Sequence, residues 1–434
     1  MSALAQVSAQ VEGATVTGSD VAECFFTDPL LERAKIPIMQ FSPKNVEGAD
    51  LVVASAAYTE EHVEIVRARE LNIPVLSYPE YLGRLFSKKR GIAVSGTHGK
   101  TTTTAMIGSV MLEAGLDPTI VVGTYVPGIG SNAHSGQGEF FLAESCEYRR
   151  HFLNYSPEYL VITNIELDHP DYFKDIDDVG AAFAEFAEKV PPVGRIFLWA
   201  EDPNRDYIKG QAPVTTFGFS EEAEIRAANI GFNDSGSSMQ IYLRGIYVGD
   251  LQLHVTGRHN ILDALASIAV CYEIGISMEQ IFTAMKKFKG TKRRFEQVGT
   301  KDGAIIVDDY AHHPTEIRST LEGARLSFPE RRIRAVFQPH TYSRTEKLLD
   351  DFSLAFKVAD EVVVAEIFAS AREQGHSSIS GSVLAEMISR HGVQAQYIGA
   401  LEDIKTYLAQ TMTPQDLVLT LGAGDVYKVG EGLV

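Results

Sequence analysis

A glycine-rich loop between an apolar segment and a helix-forming segment constrains this chain more than any other feature of its sequence. Residues 91–104 read Gly-Ile-Ala-Val-Ser-Gly-Thr-His-Gly-Lys-Thr-Thr-Thr-Thr. The backbone N–H groups of such a loop, and the positive end of the helix after it, bind phosphate groups. The pattern predicts that Lys100 reaches the β- and γ-phosphates and that the Thr101 hydroxyl ligates Mg²⁺. Val94 stands where the standard phosphate loop has its first glycine. The loop is therefore a shortened variant, and a strand–helix turn with an incidental Lys-Thr is the alternative.

Short apolar runs alternate with longer amphipathic stretches along the whole chain. We interpret these runs as strands: Leu51–Ala54, Ile92–Ser95, Thr119–Val122, Tyr159–Thr163, Ile196–Ala200, Ala304–Val307, Ala335–Phe337, Glu361–Ala365, Gln396–Ile398 and Leu417–Leu421. Continuously apolar strands that alternate with helices are typical of parallel sheets covered by helices. The sequence therefore predicts the α/β class with mainly parallel sheets.

The length of 434 residues, at about 150 residues per domain, favours three domains. A polar cluster at residues 87–90 precedes the strand that enters the glycine loop, and a charged helix end is its alternative interpretation. A second boundary lies in residues 290–299, after the helical pattern Ile261–Ile274. We therefore predict domains at residues 1–89, 90–296 and 297–434.

The charge of the chain excludes some classes of protein. With 39 basic and 57 acidic residues the net charge is −18, which disfavours a general nucleic-acid binder. No apolar run reaches the roughly 18 residues that a membrane span needs, and the first ten residues lack a signal-peptide pattern. The cysteines Cys24, Cys146 and Cys271 are too far apart for a metal-type pair. We expect a cytoplasmic protein without membrane insertion, and the sequence leaves its oligomeric state open.

Acidic residues follow two of the apolar runs. Glu144 follows the run that ends at Ala143, and the run Tyr159–Thr163 leads into Asn-Ile-Glu166-Leu-Asp168-His169. Both groups should lie at strand ends near the phosphate loop, where oxygen ligands suit Mg²⁺. Glu144 suits a direct ligand, and Glu166 and Asp168 suit groups behind the ligands. A satisfied structural histidine is the alternative for His169.

Two further segments carry polar residues at the start or end of an element. Residues 256–263 read Thr-Gly-Arg-His-Asn-Ile-Leu-Asp, at the entrance to an alanine-rich helix. Asn260 there is either a helix N-cap or an amide that faces a purine edge. Residues 292–296 read Lys-Arg-Arg-Phe-Glu. This cationic cluster is either a solvated face or a source of a guanidinium for a transferring phosphate.

Two polar loops follow neighbouring strands of the last third. Residues 307–316 read Val-Asp-Asp-Tyr-Ala-His-His-Pro-Thr-Glu, and residues 337–344 read Phe-Gln-Pro-His-Thr-Tyr-Ser-Arg. Ligands collect at the carboxyl ends of strands in open α/β sheets. Tyrosine, histidine and arginine in both loops indicate a site for a small carboxylate, because arginine binds carboxylates with two hydrogen bonds. Ordinary polar loops are the alternative for either one.

These motifs, in this order, resemble those of the Mur ligases, the ATP-dependent amide-forming enzymes of peptidoglycan synthesis. The resemblance extends from Gly18-Ser-Asp to Gly422-Ala-Gly-Asp. It implies a UDP-binding Rossmann-like domain, a central ATPase domain and a C-terminal Rossmann-like domain that closes on them. Within the family, the motifs are most similar to those of members that join L-alanine to the lactyl carboxylate of UDP-N-acetylmuramate. The implied co-substrate is ATP with Mg²⁺ or Mn²⁺, and the implied intermediate is an acyl phosphate.

The resemblance also implies roles for single residues. The triphosphate would bind at Gly96, Thr97, His98, Gly99, Lys100, Thr101 and Thr102. The metal would bind at Thr101, Glu144 and His169. The adenine, a phosphate and the ribose would contact Asn260, Arg294 and Asp309, respectively. The amino acid and the muramoyl carboxylate would bind at Tyr310, His312, His340 and Arg344. The UDP-sugar would bind near Asp20 and Ser55. Lys100, Glu144, His169 and Arg294 would carry the catalysis.

Two departures from the family pattern stand out. Asp263 occupies a position where the family usually has a second asparagine, which could weaken ATP binding. The helical segment Met1–Val11 runs into the strand-like Ala14–Thr17, and the strand and glycine loop expected before that helix are missing. Two alternative functions are a ligase that attaches a tripeptide to the same UDP-sugar and a folate polyglutamylating ligase. A third, which the missing loop suggests, is a non-catalytic nucleotide-binding remnant. The motifs of residues 307–316 and 337–344 disfavour the first two.

Overall fold

The computed structural model of the chain describes residues 1–23, 25, 27–369 and 379–434, so Cys24 lies outside the described residues. These residues form two compact units. The first unit consists of Met1–Ile165, Gly180–Phe217 and Ala266–Ala284. The second unit consists of Glu166–Val179, Gly218–Leu265 and Met285–Val434. Within the described ranges, no helix is long and apolar enough to cross a membrane.

Helices and strands alternate along most of the described chain. The α-helices are α1 (Ser2–Val11), α2 (Asp28–Arg33), α3 (Val63–Glu70), α4 (Tyr78–Phe86), α5 (Lys100–Glu113), α6 (Ile176–Ala187), α7 (Arg258–Glu273), α8 (Met278–Met285), α9 (Pro314–Ser327), α10 (Tyr342–Lys347), α11 (Leu349–Leu354), α12 (Gly381–Arg390), α13 (Leu401–Thr411) and α14 (Tyr427–Leu433). Short 3-10 helices lie at Pro43–Val46, Tyr148–Asn154 and Arg205–Tyr207.

The strands fall into a first half that belongs mostly to the first unit and a second half that belongs to the second. In the first half they are β1 (Gly18–Asp20), β2 (Ile38–Gln40), β3 (Val52–Ala54), β4 (Val75–Ser77), β5 (Arg90–Ser95), β6 (Thr119–Val126), β7 (Ser131–His134), β8 (Phe140–Glu144), β9 (Tyr159–Ile162), β10 (Arg195–Trp199) and β11 (Val214–Gly218). In the second half they are β12 (Ile225–Asn233), β13 (Gly236–Leu243), β14 (Ile246–Leu253), β15 (Glu296–Lys301), β16 (Ala304–Asp309), β17 (Arg332–Phe337), β18 (Glu361–Val364), β19 (Gln394–Tyr397) and β20 (Asp416–Leu421).

The main sheet of the first unit has the strand order β11–β10–β9–β5–β8–β6–β7. All neighbours in it are parallel except β6 and β7, which are antiparallel. Strand β5 lies between β8 and β9, and Ile92, Ala93 and Val94 are fully buried. Burial on both faces explains the continuous apolar run, and the predicted strands of this region are confirmed. The carboxyl ends of β5, β8 and β9 therefore lie side by side.

The N-terminal part of the first unit pairs β1 with β2 and β3 with β4, both in parallel. Helix α1 confirms the helix predicted at the start of the chain. It packs on the β6–β7 region, where the Gln6 side chain donates a buried hydrogen bond to Asn132 Oδ1 at 2.9 Å. The prediction of a strand at Ala14–Thr17 is wrong. The first strand is β1, which begins directly after that segment, at Gly18. Local apolar content favoured the earlier segment, but the partner strand β2 selects Gly18–Asp20.

The second unit is built on a six-stranded sheet of order β15–β16–β20–β17–β18–β19. Strand β15 pairs antiparallel with β16, and the other neighbours are parallel. A buried apolar cluster that includes Ile317, Phe337, Phe352 and Leu419 covers one face. The carboxyl ends of β16, β17 and β20 are adjacent, so the two polar loops that follow β16 and β17 share one edge of this sheet.

The second unit also contains three antiparallel strands that the sequence reading did not predict. Strand β13 pairs with β12 on one side and with β14 on the other. These strands alternate buried and exposed residues and do not form the continuous apolar runs that we used to find strands.

Candidate active site

The phosphate loop connects β5 to α5 and has the backbone conformation that the glycines allow. Gly96 has φ +128° and Gly99 has φ +82°, values that residues with a side chain rarely adopt. A Cβ at Gly96 would clash with the Thr163 hydroxyl and lie 2.9 Å from the Thr163 backbone nitrogen. Gly99 is the N-cap of α5, so the loop ends at the positive end of a helix. The loop geometry is that of an anion-binding turn.

Asn164, at the end of β9, holds the centre of this loop. Its carbonyl oxygen accepts a hydrogen bond from the Thr97 N–H at 3.0 Å, and its side-chain Oδ1 accepts one from the His98 N–H at 2.9 Å. Its amide nitrogen donates to the His98 carbonyl oxygen at 3.1 Å. Sequence reasoning missed this role, although the Thr-Asn pair directly after a strand was a signal. The predicted loop residues Thr97 and His98 are therefore positioned by a neighbouring strand.

Lys100 folds back over the loop. Its Nζ donates to the carbonyl oxygens of Gly96 and Thr97, the latter at 2.9 Å. It also lies 3.0 Å from Oε2 of Glu147, whose side chain is 3% exposed. The ammonium group and this buried carboxylate therefore form an ion pair. Glu147 is a second residue that sequence reasoning missed.

Thr101 and Glu144 meet at the carboxyl edge of the sheet. The Thr101 hydroxyl donates to Glu144 Oε2 at 3.0 Å, and the Gly123 N–H donates to Oε1. The pairing of β8 with β5 places Glu144 opposite Val94, beside the start of the loop. Two adjacent ligands of an octahedral ion with bonds near 2.1 Å lie about 3 Å apart, so these two oxygens fit Mg²⁺. Thr102 follows in the first turn of α5 and is buried.

His169 belongs to the second unit, as do Glu166 and Asp168. It has a left-handed backbone with φ +52°, and its N–H donates to Asp168 Oδ1 at 2.6 Å. Oε2 of Glu166 lies 4.0 Å from Nδ1 of His313. A role for His169 as a metal ligand together with Thr101 and Glu144 stays a prediction.

Asp20 and Ser55 lie at the ends of two strands in the N-terminal part of the first unit. Asp20 ends β1 and lines a cavity of about 830 Å³ together with α2 and β2. Ser55 follows β3, and its carbonyl oxygen accepts a hydrogen bond from the Tyr58 N–H at 3.2 Å. The Tyr58 hydroxyl hydrogen-bonds to Asp20. Burial raises the pKa of Tyr58 most, and the Asp20 carboxylate raises it further. Tyr58 thus connects the two predicted residues, and no sequence pattern indicated this role.

In the second unit, Arg293 and Arg294 precede β15 in a turn with left-handed residues at Arg293 and Phe295. Arg293 Nε lies 2.9 Å from Asp308 Oδ2, so this arginine is tied to the sheet. The Arg294 guanidinium lies 5.2 Å from the centre of the Tyr310 ring, and its Nη1 lies 3.9 Å from Glu316 Oε1. Arg294, the predicted site arginine, therefore lies beside Tyr310 and Glu316.

Asp309 ends β16 and fixes the same turn. Its carboxylate accepts hydrogen bonds from the N–H groups of Phe295 and Ala311, each at 2.7 Å. The side chain is almost fully buried, and this burial raises the pKa of Asp309 to about 6. In this structure the carboxylate orders the segment that carries Arg294. The ribose contact that the family resemblance implies stays a prediction.

His312 and His340 lie on adjacent loops with aromatic neighbours. Nδ1 of His312 lies 3.0 Å from the Tyr310 carbonyl oxygen and 3.2 Å from Oε2 of Glu316. The rings of His312 and His340 are 6.3 Å apart, and His340 stacks on Phe368 at 5.6 Å. The structure thus brings the two predicted histidines together. The sequence did not predict a role for Phe368, and it predicted none for Glu316 within the motif of residues 307–316.

Arg344, in α10, forms an ion pair with Asp168, with side chains that are each 7% exposed. Burial by itself raises the pKa of Asp168, but Arg344 and the nearby histidines outweigh it and hold the pKa far below its ordinary range. The guanidinium therefore already binds one carboxylate. Recognition of a substrate carboxylate by the loop after β17 stays a prediction.

Asn260 lies inside α7, which begins at Arg258, so the interpretation of Asn260 as the N-cap of that helix is wrong. Its amide nitrogen donates to the Thr256 carbonyl oxygen at 2.6 Å and lies 3.1 Å from the His259 ring. His259 is partly buried, and this burial lowers its pKa to about 4. Asp263, one turn further along, is also buried.

The fold and these residues define a nucleotide-binding α/β protein with a phosphate loop and a second α/β unit rich in arginine and histidine. Three family models match the chain in order: the Mur ligase family catalytic domain at residues 1–90, the Mur ligase middle domain at 94–271, and the Mur ligase glutamate ligase domain at 293–424. The chain belongs to the Mur ligase family. The expectation that the first strand and glycine loop are missing is not borne out, because the model of the first domain matches residues 1–90.

Named relatives agree with the family assignment. The chain is 69% identical over 434 residues to the UDP-N-acetylmuramate–L-alanine ligase of Desulfitobacterium hafniense (strain Y51), covering 100% of this chain and 97% of that protein. It is 43% identical over 436 residues to the enzyme of the same name from Caldanaerobacter subterraneus subsp. tengcongensis, covering 99% and 94%. Its structure is similar to the crystal structure of UDP-N-acetylmuramate-alanine ligase from Thermotoga maritima. That match has a TM-score of 0.85 and 28% identity, and covers 100% of this chain and 95% of that one.

Proposed function

We propose that this chain joins L-alanine to the lactyl carboxylate of UDP-N-acetylmuramate, at the expense of ATP, in the synthesis of peptidoglycan precursors. The observation that carries the proposal is the 69% identity, over the full chain, to a relative that bears the name of this activity. The phosphate loop and its partners Glu144 and Asn164 support it from the structure. Such a reaction belongs in the cytoplasm, where ATP and nucleotide sugars are available.

The chemistry proceeds through an activated carboxyl group, because a carboxylate does not condense with an amine in water. An oxygen of the lactyl carboxylate attacks the γ-phosphorus of ATP, ADP leaves with the electrons of the broken P–O bond, and an acyl phosphate forms. The amino group of L-alanine then attacks the acyl carbon, and phosphate leaves from the tetrahedral intermediate. Water must be excluded during these steps, since it would hydrolyse the acyl phosphate.

The residues of the phosphate loop bind and neutralise the triphosphate. Gly96, Thr97, His98, Gly99 and Thr102 provide the loop and the first turn of the helix. Lys100 neutralises negative charge as it develops in phosphoryl transfer. Thr101 and Glu144, with His169, would hold Mg²⁺ or Mn²⁺, which supplies further charge neutralisation. Arg294 contributes a guanidinium to the transferring phosphate.

The remaining predicted residues bind the other parts of the substrates. Asn260 and Asp309 bind the adenosine. Asp20 and Ser55 bind the UDP-sugar. The amino acid and the muramoyl carboxylate bind at Tyr310, His312, His340 and Arg344. We assign these roles to domains at residues 1–89, 90–296 and 297–434.

The alternative functions are not favoured. A ligase that attaches a tripeptide shares the phosphate loop, but the relatives at 69% and 43% identity carry the name of the L-alanine enzyme. A non-catalytic remnant was motivated by a missing N-terminal loop, and the match of the first domain removes that motive. The hydrogen bond between the Thr101 hydroxyl and Glu144, two predicted metal ligands, also supports an active enzyme.

Release of ADP, measured with and without each substrate, tests the proposal. We expect ADP release and a product of the mass of UDP-N-acetylmuramoyl-L-alanine only when ATP, the divalent metal, UDP-N-acetylmuramate and L-alanine are all present. The same assay with L-Ala-γ-D-Glu-meso-diaminopimelate in place of L-alanine separates the two ligase activities. A product with the tripeptide and none with L-alanine would overturn the proposal.

A further inference from the structure

We propose that His312 is a catalytic residue that receives a proton from the amino group of the incoming amino acid, and that Glu316 is the positioning residue behind it. This inference deepens the proposed ligase activity and rests on it. It adds a proton acceptor for the attacking amine, a role that the proposed function gives to no side chain. It is carried by the hydrogen bonds around one ring nitrogen.

The surroundings of Nδ1 determine the tautomer of His312. The two nearest partners of Nδ1 are the Tyr310 carbonyl oxygen at 3.0 Å and the Glu316 carboxylate oxygen at 3.2 Å. Both partners only accept hydrogen bonds, so Nδ1 must carry the proton. In the neutral ring, Nε2 then holds an unshared electron pair. The same hydrogen bonds fix the orientation of the ring.

Glu316 is held in place independently of the ring. Its Oε2 accepts hydrogen bonds from the backbone N–H groups of His312 at 3.0 Å and of His313 at 3.3 Å. The bond from the His313 N–H belongs to the capping box of α9, in which the His313 side chain is the other half. A carboxylate fixed behind an imidazole stabilises the positive ring that forms when Nε2 takes up a proton.

The charged groups around the ring keep it neutral before the reaction. Glu316 and Asp168 favour the charged ring, whereas Arg344 disfavours it. Burial outweighs them all and lowers the pKa of His312 to about 3. The rings of Tyr310 and His340 stand edge-on to it, at 5.4 and 6.3 Å. A neutral imidazole at working pH is the form that a proton acceptor requires, and the Glu316 and Asp168 carboxylates favour the charged ring that forms when it takes up a proton.

The proton moves after the bond to carbon has formed. The unprotonated amine attacks the acyl carbon, and its nitrogen becomes positively charged in the tetrahedral intermediate. Such a nitrogen is more acidic than a free alkylammonium group, which favours transfer of its proton to an imidazole. Nε2 takes the proton, the electrons of the N–H bond remain on nitrogen, and phosphate leaves with the electrons of the C–O bond. The imidazolium then returns its proton to phosphate or water.

A comparison of two nucleophiles tests this role. Hydroxylamine traps acyl phosphates as hydroxamates, and its attacking nitrogen is acidic enough to lose its proton to water without help. We expect His312→Gln to lower kcat for L-alanine at least 100-fold, in the range of general acid–base effects, while the KM for L-alanine changes much less. We expect its hydroxamate formation to stay within about tenfold of wild type. His391→Gln, at an exposed position, is the matched control and should leave both rates unchanged.

Nitrogen NMR of the ¹⁵N-histidine-labelled wild-type protein tests the tautomer without a substitution at His312. We expect a neutral ring with the proton on Nδ1 at pH 7, assigned by the shift of its signals in Glu316→Gln. A proton on Nε2, or a charged ring, would overturn the inference. So would His312→Gln with more than a tenth of the wild-type rate for L-alanine. If wild type forms neither amide nor hydroxamate, the proposed ligase activity is what fails.

Discussion

Oδ1 of Asp168 lies 3.1 Å from Nε and 3.0 Å from Nη2 of Arg344. Both side chains are buried, so the attraction is little screened by water. The depressed pKa of Asp168 means that the folded protein binds its proton less readily than the unfolded chain does. The pair therefore contributes stability at pH values above the ordinary aspartate pKa of about 3.9. This contribution is lost as the pH falls below that value.

Substitution of Asp168 tests the strength of this ion pair. Asp168→Asn leaves the buried Arg344 without its negative partner, so we expect a loss of about 3–5 kcal/mol in the free energy of unfolding. Asp425→Asn is the control, because its ion pair with Lys428 is exposed, and it should cost less than about 1 kcal/mol. Urea unfolding at pH 7 measures both. Equal losses in the two variants would contradict the assigned role of burial.

Lys100 is expected to be essential for turnover. Lys100→Met removes a positive charge that phosphoryl transfer requires, so ADP release should fall more than tenfold, which corresponds to more than about 1.4 kcal/mol. The substitution also leaves the buried Glu147 carboxylate without this positive partner, so the melting temperature should fall, and ADP release is compared at a temperature at which both proteins are folded. Lys88→Met, in an exposed ion pair with Glu12, serves as the control. Retention of more than a tenth of the activity would refute the role of Lys100.

Glu144 is expected to set the metal requirement. Activity should depend on Mg²⁺ or Mn²⁺, and Glu144→Gln should raise the concentration of Mg²⁺ that gives half-maximal ADP release at least tenfold. The reason is that an amide oxygen is a weaker ligand than a carboxylate for a hard cation. Glu139→Gln, just before the same strand and exposed, should leave the Mg²⁺ titration unchanged. An unaltered titration for Glu144→Gln would remove this residue from the metal site.

Asp309 should make stability depend on pH in the opposite sense to Asp168. Because burial raises its pKa to about 6, the folded protein binds its proton more tightly than the unfolded chain does. Stability from this group therefore decreases as the pH rises, by about 2 kcal/mol between pH 4 and pH 6. Asp309→Asn lacks this contribution, so wild type should lose about 2 kcal/mol more than the variant over that range. Urea unfolding measures both proteins at both pH values. An equal loss of unfolding free energy in wild type and Asp309→Asn would show that the pKa is not raised.

A buried ionic network in the second unit should matter for stability alone. Arg334 is 1% exposed and contacts Glu361 and Asp416, whose side chains are 0% exposed. Arg334→Met removes the buried positive charge beside Asp416 and leaves Glu361 with its ion pair to Arg332, so we expect a loss of about 3–5 kcal/mol. Arg390→Met breaks an exposed pair with Glu386 and should cost less than about 1 kcal/mol. Thermal unfolding distinguishes them, and a small effect of Arg334→Met would show that water or rearrangement compensates.

The sequence predicted the parts of this protein that depend on local pattern. The strands around Ile92 and Leu419 are buried on both faces, so their apolar runs identify them. The phosphate loop was recognisable because its conformation requires glycines at fixed positions. In contrast, β12–β14 alternate buried and exposed residues, and the strand predicted at Ala14–Thr17 was displaced by pairing with β2. Pairing partners are not visible in local composition.

The residues that support the site were harder to predict than those that form it. Glu147 pairs with Lys100 across 47 positions, and Asp168 pairs with Arg344 across 176 positions. Neither contact follows from spacing along an element, since both depend on how the sheets are assembled. Glu316 was visible in a quoted motif, but its role became clear only from the position of the His312 ring.

The close approach of Thr163 to Gly96 has a consequence for genetics. The space for a Cβ is taken by the Thr163 hydroxyl and by the backbone nitrogens of Thr163 and Asn164, which directly follow β9, so any side chain at position 96 must displace this segment. A missense change at this codon would therefore act first on folding, and the variant would reach a lower concentration in the cell through proteolysis. Such an allele would behave as temperature-sensitive, and loss of catalysis would be its second effect.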